Sequence, residues 1–190
     1  VTFAIIAYIW VEHWLFARRY DLQDPWTTFL NLLLLFLLLF YAYPLKFLFT
    51  LLSIALFGPI GGLDVAHVMQ GYEHVGIDGL FMIYGIGYGS IFFVIALMYA
   101  RALHFAEALA LDPVERFLTK SGIVQASIQG GVGILSAGIA AAGVGVKSAL
   151  PGWIYIAIGP LMAVHGAWEG RRVRLLQEGA AQARSLASNP

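Results

Sequence analysis

From Trp26 to Tyr43 the chain reads WTTFLNLLLLFLLLFYAY, 18 residues without one charged side chain. An α-helix needs roughly 20 mostly apolar residues to cross a hydrocarbon core about 30 Å thick. Four further segments are likewise mostly apolar, at 1–17, 80–99, 123–146 and 153–168. Hydrophobic residues make up 60% of the chain and charged residues 12%, against roughly 45–50% and about 25% in soluble domains. A soluble globule built from this composition would have too little polar surface to clad itself. The expected fold class is therefore all-α: a polytopic transmembrane helical bundle with five visible spans, forming one domain over 1–170 and followed by a tail over 171–190.

The formal charge is zero, so no nucleic-acid partner is expected and the placement of charge carries the information. Arg18 and Arg19 follow the first span, Arg101, Arg116 and Lys120 the third, and Arg171, Arg172, Arg174 and Arg184 the fifth. Only Lys46 and Lys147 fall on the other side. Basic loops stay in the cytoplasm, which places the nine-residue side and the tail there and starts the first visible helix outside. With no cysteine, disulfide and thiol chemistry are excluded. The chain opens on Val1 within an apolar stretch, without Met or a signal-peptide pattern; an upstream helix returning the N-terminus to the cytoplasm is the expectation. The partner common to all of this is a lipid bilayer.

Pro44 ends the second span in this reading, because proline cannot donate to the helix ladder and disfavours helix in the preceding residue. Leu45 to Phe57 stays apolar beyond it, leaving a kinked extension, an interfacial helix and a re-entrant turn all open. The glycine-rich segment 58–79 is expected outside, and 104–120 is expected as a cytoplasmic connector, possible as an amphipathic helix. Beyond Arg171 a helix-forming, mixed-charge stretch gives way to small polar residues, so the tail should fray. Trp14, Trp26, Trp153 and Trp168 lie near span ends, where amphipathic rings favour the headgroup region.

Several side chains stand out against this apolar background. In the fourth helix Ser127 and Gly131, Gly133 and Ala137, and Ala141 and Gly145 are spaced by four, which lets helix backbones approach closely; packing within the bundle is the first reading and a subunit interface the second. The glycines at 85, 87 and 89 lie in a lipid-length helix and are not a nucleotide loop. Gln125 and Gln129 share one helical face, suited to bonding a neighbouring helix or to lining a hydrated path. Asp64, His67, Glu73, His74 and Asp78 are metal-capable but lack the tight, repeated spacing of a helical zinc site, so they read as a solvated loop, and no metal or cofactor is expected. Glu12 and His13 stand inside the first span between Trp10 and Trp14. Ionisable groups there are expensive and face the bundle interior or water, usually with partners. Glu12 could snorkel or pair with Arg18 or Arg19, and Asn31, at matched depth in the second helix, can both donate to and accept from His13.

The stretch YIWVEHWLFARRYDLQDPWTTFLNLLLLFLLLFYAYPLKFL resembles the second and third helices of the transmembrane protein 175 potassium-channel family. Trp10, His13, Leu15, Phe16, Leu30, Asn31, Leu32 and Pro44 follow that family's order of residues, with departures at Glu12, where the family tends to have asparagine, and at Trp14, where a second histidine often sits. The resemblance implies six helices per unit, both termini cytoplasmic, and bacterial members forming homotetramers around a potassium pathway in the cytoplasmic (inner) membrane. The five visible helices would be the second to the sixth. It further implies that a first helix lines the pore and bonds, through a Phe-Ser-Asp motif, to a network to which Trp10, His13 and Asn31 correspond. Those three residues would then support the pore helix, with Glu12, Gln125 and Gln129 as accessory polar residues.

The function expected is a potassium-selective channel subunit whose visible part is the scaffold around a pore helix, and the bound partner is the potassium ion. The alternative is a non-conducting subunit of a larger membrane complex, pairing with other membrane subunits. No nucleophile–base pair, metal signature or mid-membrane carboxylate pair argues for an enzyme or a secondary transporter.

Overall fold

The computed structural model describes residues 2–22, 24–61, 76–143 and 150–187. All regular structure within them is helical: α1 (Thr2–Tyr20), α2 (Pro25–Gly61), α3 (Gly76–His104), α4 (Pro113–Ala141), and a last rod in which α5 (Leu150–Trp153) passes through a 3-10 turn (Ile154–Ala157) into α6 (Ile158–Ala187). Four stretches are long and apolar enough to cross a membrane: Pro25–Pro44, Asp78–His104, Pro113–Ala141 and Leu150–Gln182. The first helix has the length of a span at 19 residues, but Glu12, Arg18 and Arg19 fall within it and dilute its apolar character.

Each rod runs antiparallel to the next. The backbones of α3 and α4 meet at Gly85 and Gly133, where a Cβ on Gly85 would lie 2.5 Å from the Gly133 carbonyl oxygen and one on Gly133 would lie 2.8 Å from that of Gly85. Small residues let helix backbones approach closely in lipid, and at these two positions an added Cβ would meet backbone that must shift. On the other side of α3, the Tyr41 hydroxyl of α2 donates to the Tyr84 carbonyl at 3.0 Å. The last rod returns along α4, where Ser136 Oγ donates to the Pro151 carbonyl at 2.7 Å.

Helix boundaries differ most from the sequence expectation in three places. The backbone stays helical through Pro44 to Gly61, since a proline removes one ladder bond and a long membrane helix tolerates that loss; of the three readings left open, the helical extension describes the backbone. The fourth helix starts at Pro113, ten residues before the expected Ile123, because Asp112 and Glu115 form a reciprocal capping box with Pro113 at the first helical position. The connector is thereby reduced to 105–112. The last helix runs past the expected end at 168, through the helix-forming stretch, to Ala187; residues 188–190, where fraying was expected, lie outside the described residues. The metal-capable residues Asp64, His67, Glu73 and His74, the side chain of Lys46, and Gly145 and Lys147 lie outside the described residues.

Polar contacts gather the basic residues at one end of the bundle. Arg101 at the end of α3 holds Asp24 at the start of α2, and the Tyr20 hydroxyl at the end of α1 lies 2.7 Å from Thr119 Oγ1 near the start of α4. Ser121 of α4 meets His165 and Glu169 of α6. Arg18, Arg19, Arg116, Lys120, Arg171 and Arg172 lie within a few residues of these contacts.

Candidate functional site

The turn after Tyr20 reverses the chain within five residues, so α1 and α2 are forced to be antiparallel neighbours. Asp24 fixes where α2 begins: its carboxylate accepts from the backbone N–H of Trp26 at 3.2 Å and of Thr27 at 3.4 Å, and Pro25 occupies a position whose N–H would have had no partner. Arg101 adds two bonds to the same Oδ2, at 3.2 and 2.9 Å, and its guanidinium stacks 4.6 Å from the Phe105 ring. The Thr27 hydroxyl first and Arg101 next hold the Asp24 carboxyl below its ordinary range, against the opposing effect of desolvation.

From that reversal His13 and Asn31 stand at equal depth, about 10 Å along their helices at 1.5 Å per residue. His13 Nε2–H donates to Asn31 Oδ1 at 3.0 Å. The assignment follows from chemistry, since a carboxamide oxygen can only accept and the ring nitrogen facing it must carry the proton. The Trp10 ring lies 5.5 Å from that of His13, tilted by 36°, and is 53% exposed. The three residues expected to form a network are therefore adjacent, on the outward edge of the α1–α2 pair.

Glu12 points to the other side of α1. It shares a cavity with Tyr8, Tyr99, Gln125 and Gln129 where α1 lies against α3 and α4, and Phe92 and Ile95 supply apolar wall. Gln129 is buried, and its Oε1 accepts from the Tyr88 hydroxyl at 3.0 Å. Gln129 thus bonds a neighbouring helix, and both glutamines line a space large enough for a water-sized guest. Glu12 forms no ion pair with Arg18 or Arg19; Arg18 instead stacks over the Trp14 ring at 5.2 Å.

A cluster not expected from the sequence joins α4 to α6. Ser121 Oγ lies 2.8 Å from His165 Nε2 and donates to Glu169 Oε2, with Ser121 buried. The residue types are those of a hydrolytic triad, but the geometry is not. In a triad the carboxylate bonds the far nitrogen of the histidine, whereas here both His165 and Glu169 converge on the serine hydroxyl, which leaves it tied and buried. The cluster is an interhelical clamp. Its one local signal was the four-residue spacing of His165 and Glu169; their meeting with Ser121, 44 residues earlier, required the tertiary structure.

Among the described residues no group of three or more histidine and acidic side chains could hold a metal ion. No protein-family model matches the chain. It is 37% identical over 185 aligned residues to a potassium channel of Marivirga tractuosa, an alignment covering 94% of this chain and 74% of that protein. Its structure is similar to that of a variant of the potassium channel MtTMEM175, crystallised with a nanobody fusion protein, with a TM-score of 0.76, 36% identity, and coverage of 90% of this chain and 77% of that one. The helical architecture, the residue order around Trp10, His13 and Asn31, and these two relatives agree, and the chain belongs to the transmembrane protein 175 potassium-channel family.

Proposed function

We propose that the chain is a potassium-channel subunit in which the described helices are a scaffold and the ion path runs along a helix packed against the Trp10–His13–Asn31 edge. The observation that carries this reading is the His13–Asn31 hydrogen bond beside a half-exposed Trp10. Burying a polar pair in lipid fixes how α1 and α2 sit, and a bundle with a fixed polar edge can position one more helix. Both relatives are named as potassium channels, and neither favours the non-conducting subunit. A channel of this kind works by passage and needs no catalytic residue. Among the described residues, the helices present no carbonyl loop at mid-depth and no evident ring of acidic side chains, the usual means of replacing an ion's hydration shell.

The functional unit in this reading is a homotetramer in a bacterial cytoplasmic membrane, with the basic end of the bundle inside. The full-length protein reconstituted in liposomes should dissipate a potassium gradient and pass sodium less readily. Absence of flux from intact, tetrameric protein would remove the reading.

A further inference from the structure

Glu12 is a carboxylate held within a helical bundle about 9 Å along α1 from Arg18, at 1.5 Å per residue. An ionised group at such depth needs an opposite charge or a proton. Its sequence neighbour His13 is turned away and engaged with Asn31. The ion pairs among the described residues are Arg101 with Asp24 and His165 with Glu169, so Glu12 has no ion-pair partner among them. What Glu12 faces is the cavity, and the polar side chains around it are the phenols of Tyr8 and Tyr99 and the carboxamides of Gln125 and Gln129, groups that carry oxygen donors but no imidazole, thiolate or cationic nitrogen.

We infer that this cavity is a binding site for one small monovalent cation, held by the Glu12 carboxylate and the side-chain oxygens of Tyr8, Gln125 and Gln129, and separate from the conduction path. Three features select that ligand class. Hard oxygen donors suit alkali cations, whereas nitrogen- or sulfur-seeking transition metals would find neither imidazole nor thiolate there. One formal negative charge matches one positive charge and falls short of what a divalent ion needs. The cavity admits a guest of about the size of a water molecule, and a dehydrated potassium ion has nearly that size. The consequence is structural: the cation ties α1, which carries the Trp10–His13 edge, to α4. The site stands apart from the conduction reading, because cation binding here can be measured without any current.

The test uses the full-length protein purified in detergent at pH 8, with potassium replaced by N-methyl-D-glucamine and ionic strength held constant. The thermal-unfolding midpoint of the wild type should rise with added potassium chloride and saturate. Glu12→Gln should shift the half-saturating concentration at least tenfold upward, and Gln129→Leu, which keeps the carboxylate, should shift it in the same direction. A pore site would also respond to potassium, so the comparison between variants carries the result. Crystals of the wild type soaked in thallium(I) should show an anomalous peak between Glu12 and the two glutamines. Equal potassium responses in wild type and Glu12→Gln, or no thallium peak at that place, overturns the proposal. A difference between them that follows pH and is independent of the cation assigns the cavity to a proton and water, and overturns it equally.

Discussion

His13 and Asn31 are a matched donor and acceptor at one depth, and their partnership shows how much a single pair can be asked to do in lipid. Interhelical hydrogen bonds in membranes average about 0.6 kcal/mol and reach about 1–2 kcal/mol, so Asn31→Leu should lower unfolding stability by that order, measured by denaturation in mixed micelles. A larger loss would mean that the pair carries more of the fold than its two bonding groups. Asp24 makes a different claim. Its folded-state pKa is lowered by Thr27 and Arg101, so its contribution to stability is present above the unfolded value of about 3.8 and is lost as pH falls through the folded value below that. The stability advantage of wild type over Asp24→Asn, which retains a capping side chain, should be constant from pH 7 to about pH 5 and shrink below pH 4. An advantage that grew on acidification would contradict the assignment. The Asp24 cap was not singled out in the sequence, although an acidic residue before Pro25 is its local signal, and its pairing with Arg101 could not be, because 77 residues separate the two. Glu12 was recognisable as costly without any indication of which helix it faced.

At the scale of elements, α3 and α4 are held by contact between backbones. Adding a methyl group at Gly133 would bring it to 2.8 Å from both the Gly85 oxygen and the Gly89 nitrogen, atoms that cannot rotate away. Gly133→Ala should therefore destabilise by about 1–3 kcal/mol, as overpacking does, whereas Gly138→Ala, with nothing within 4 Å of the added carbon, should be neutral or stabilising. Equal effects of the two substitutions would remove the helix pair as the centre of the bundle. The spacing of Gly133 and Ala137 foretold a close approach, but Gly85 and Gly89 on α3 had been read only as not forming a nucleotide loop, and periodicity could not say that these two faces meet. Element ends were less legible for a local reason. Hydropathy marks where lipid-facing residues stop, whereas a helix stops where its backbone groups find caps. The Asp112–Glu115 box therefore began α4 well before the apolar run did. The tail stayed helical past Arg171 because a proline-free stretch rich in Arg, Leu, Gln and Ala can continue a rod beyond the membrane.

Over the whole molecule, antiparallel packing brings the basic ends of α1, α3 and α4 and the basic stretch of α6 to one side, which is what the distribution of lysine and arginine required of a membrane protein. Membership in a potassium-channel family then makes a division of labour the central claim: these helices position a conducting element and do not choose the ion. Single-channel or bilayer recordings of the reconstituted full-length protein under bi-ionic potassium and sodium conditions test it most directly, comparing wild type with His13→Ala and Asn31→Ala. The account predicts lower open probability or fewer active channels in both variants, with the reversal potential, and hence the potassium-to-sodium permeability ratio, nearly unchanged; a large shift in that ratio would place His13 and Asn31 in the ion path and contradict it.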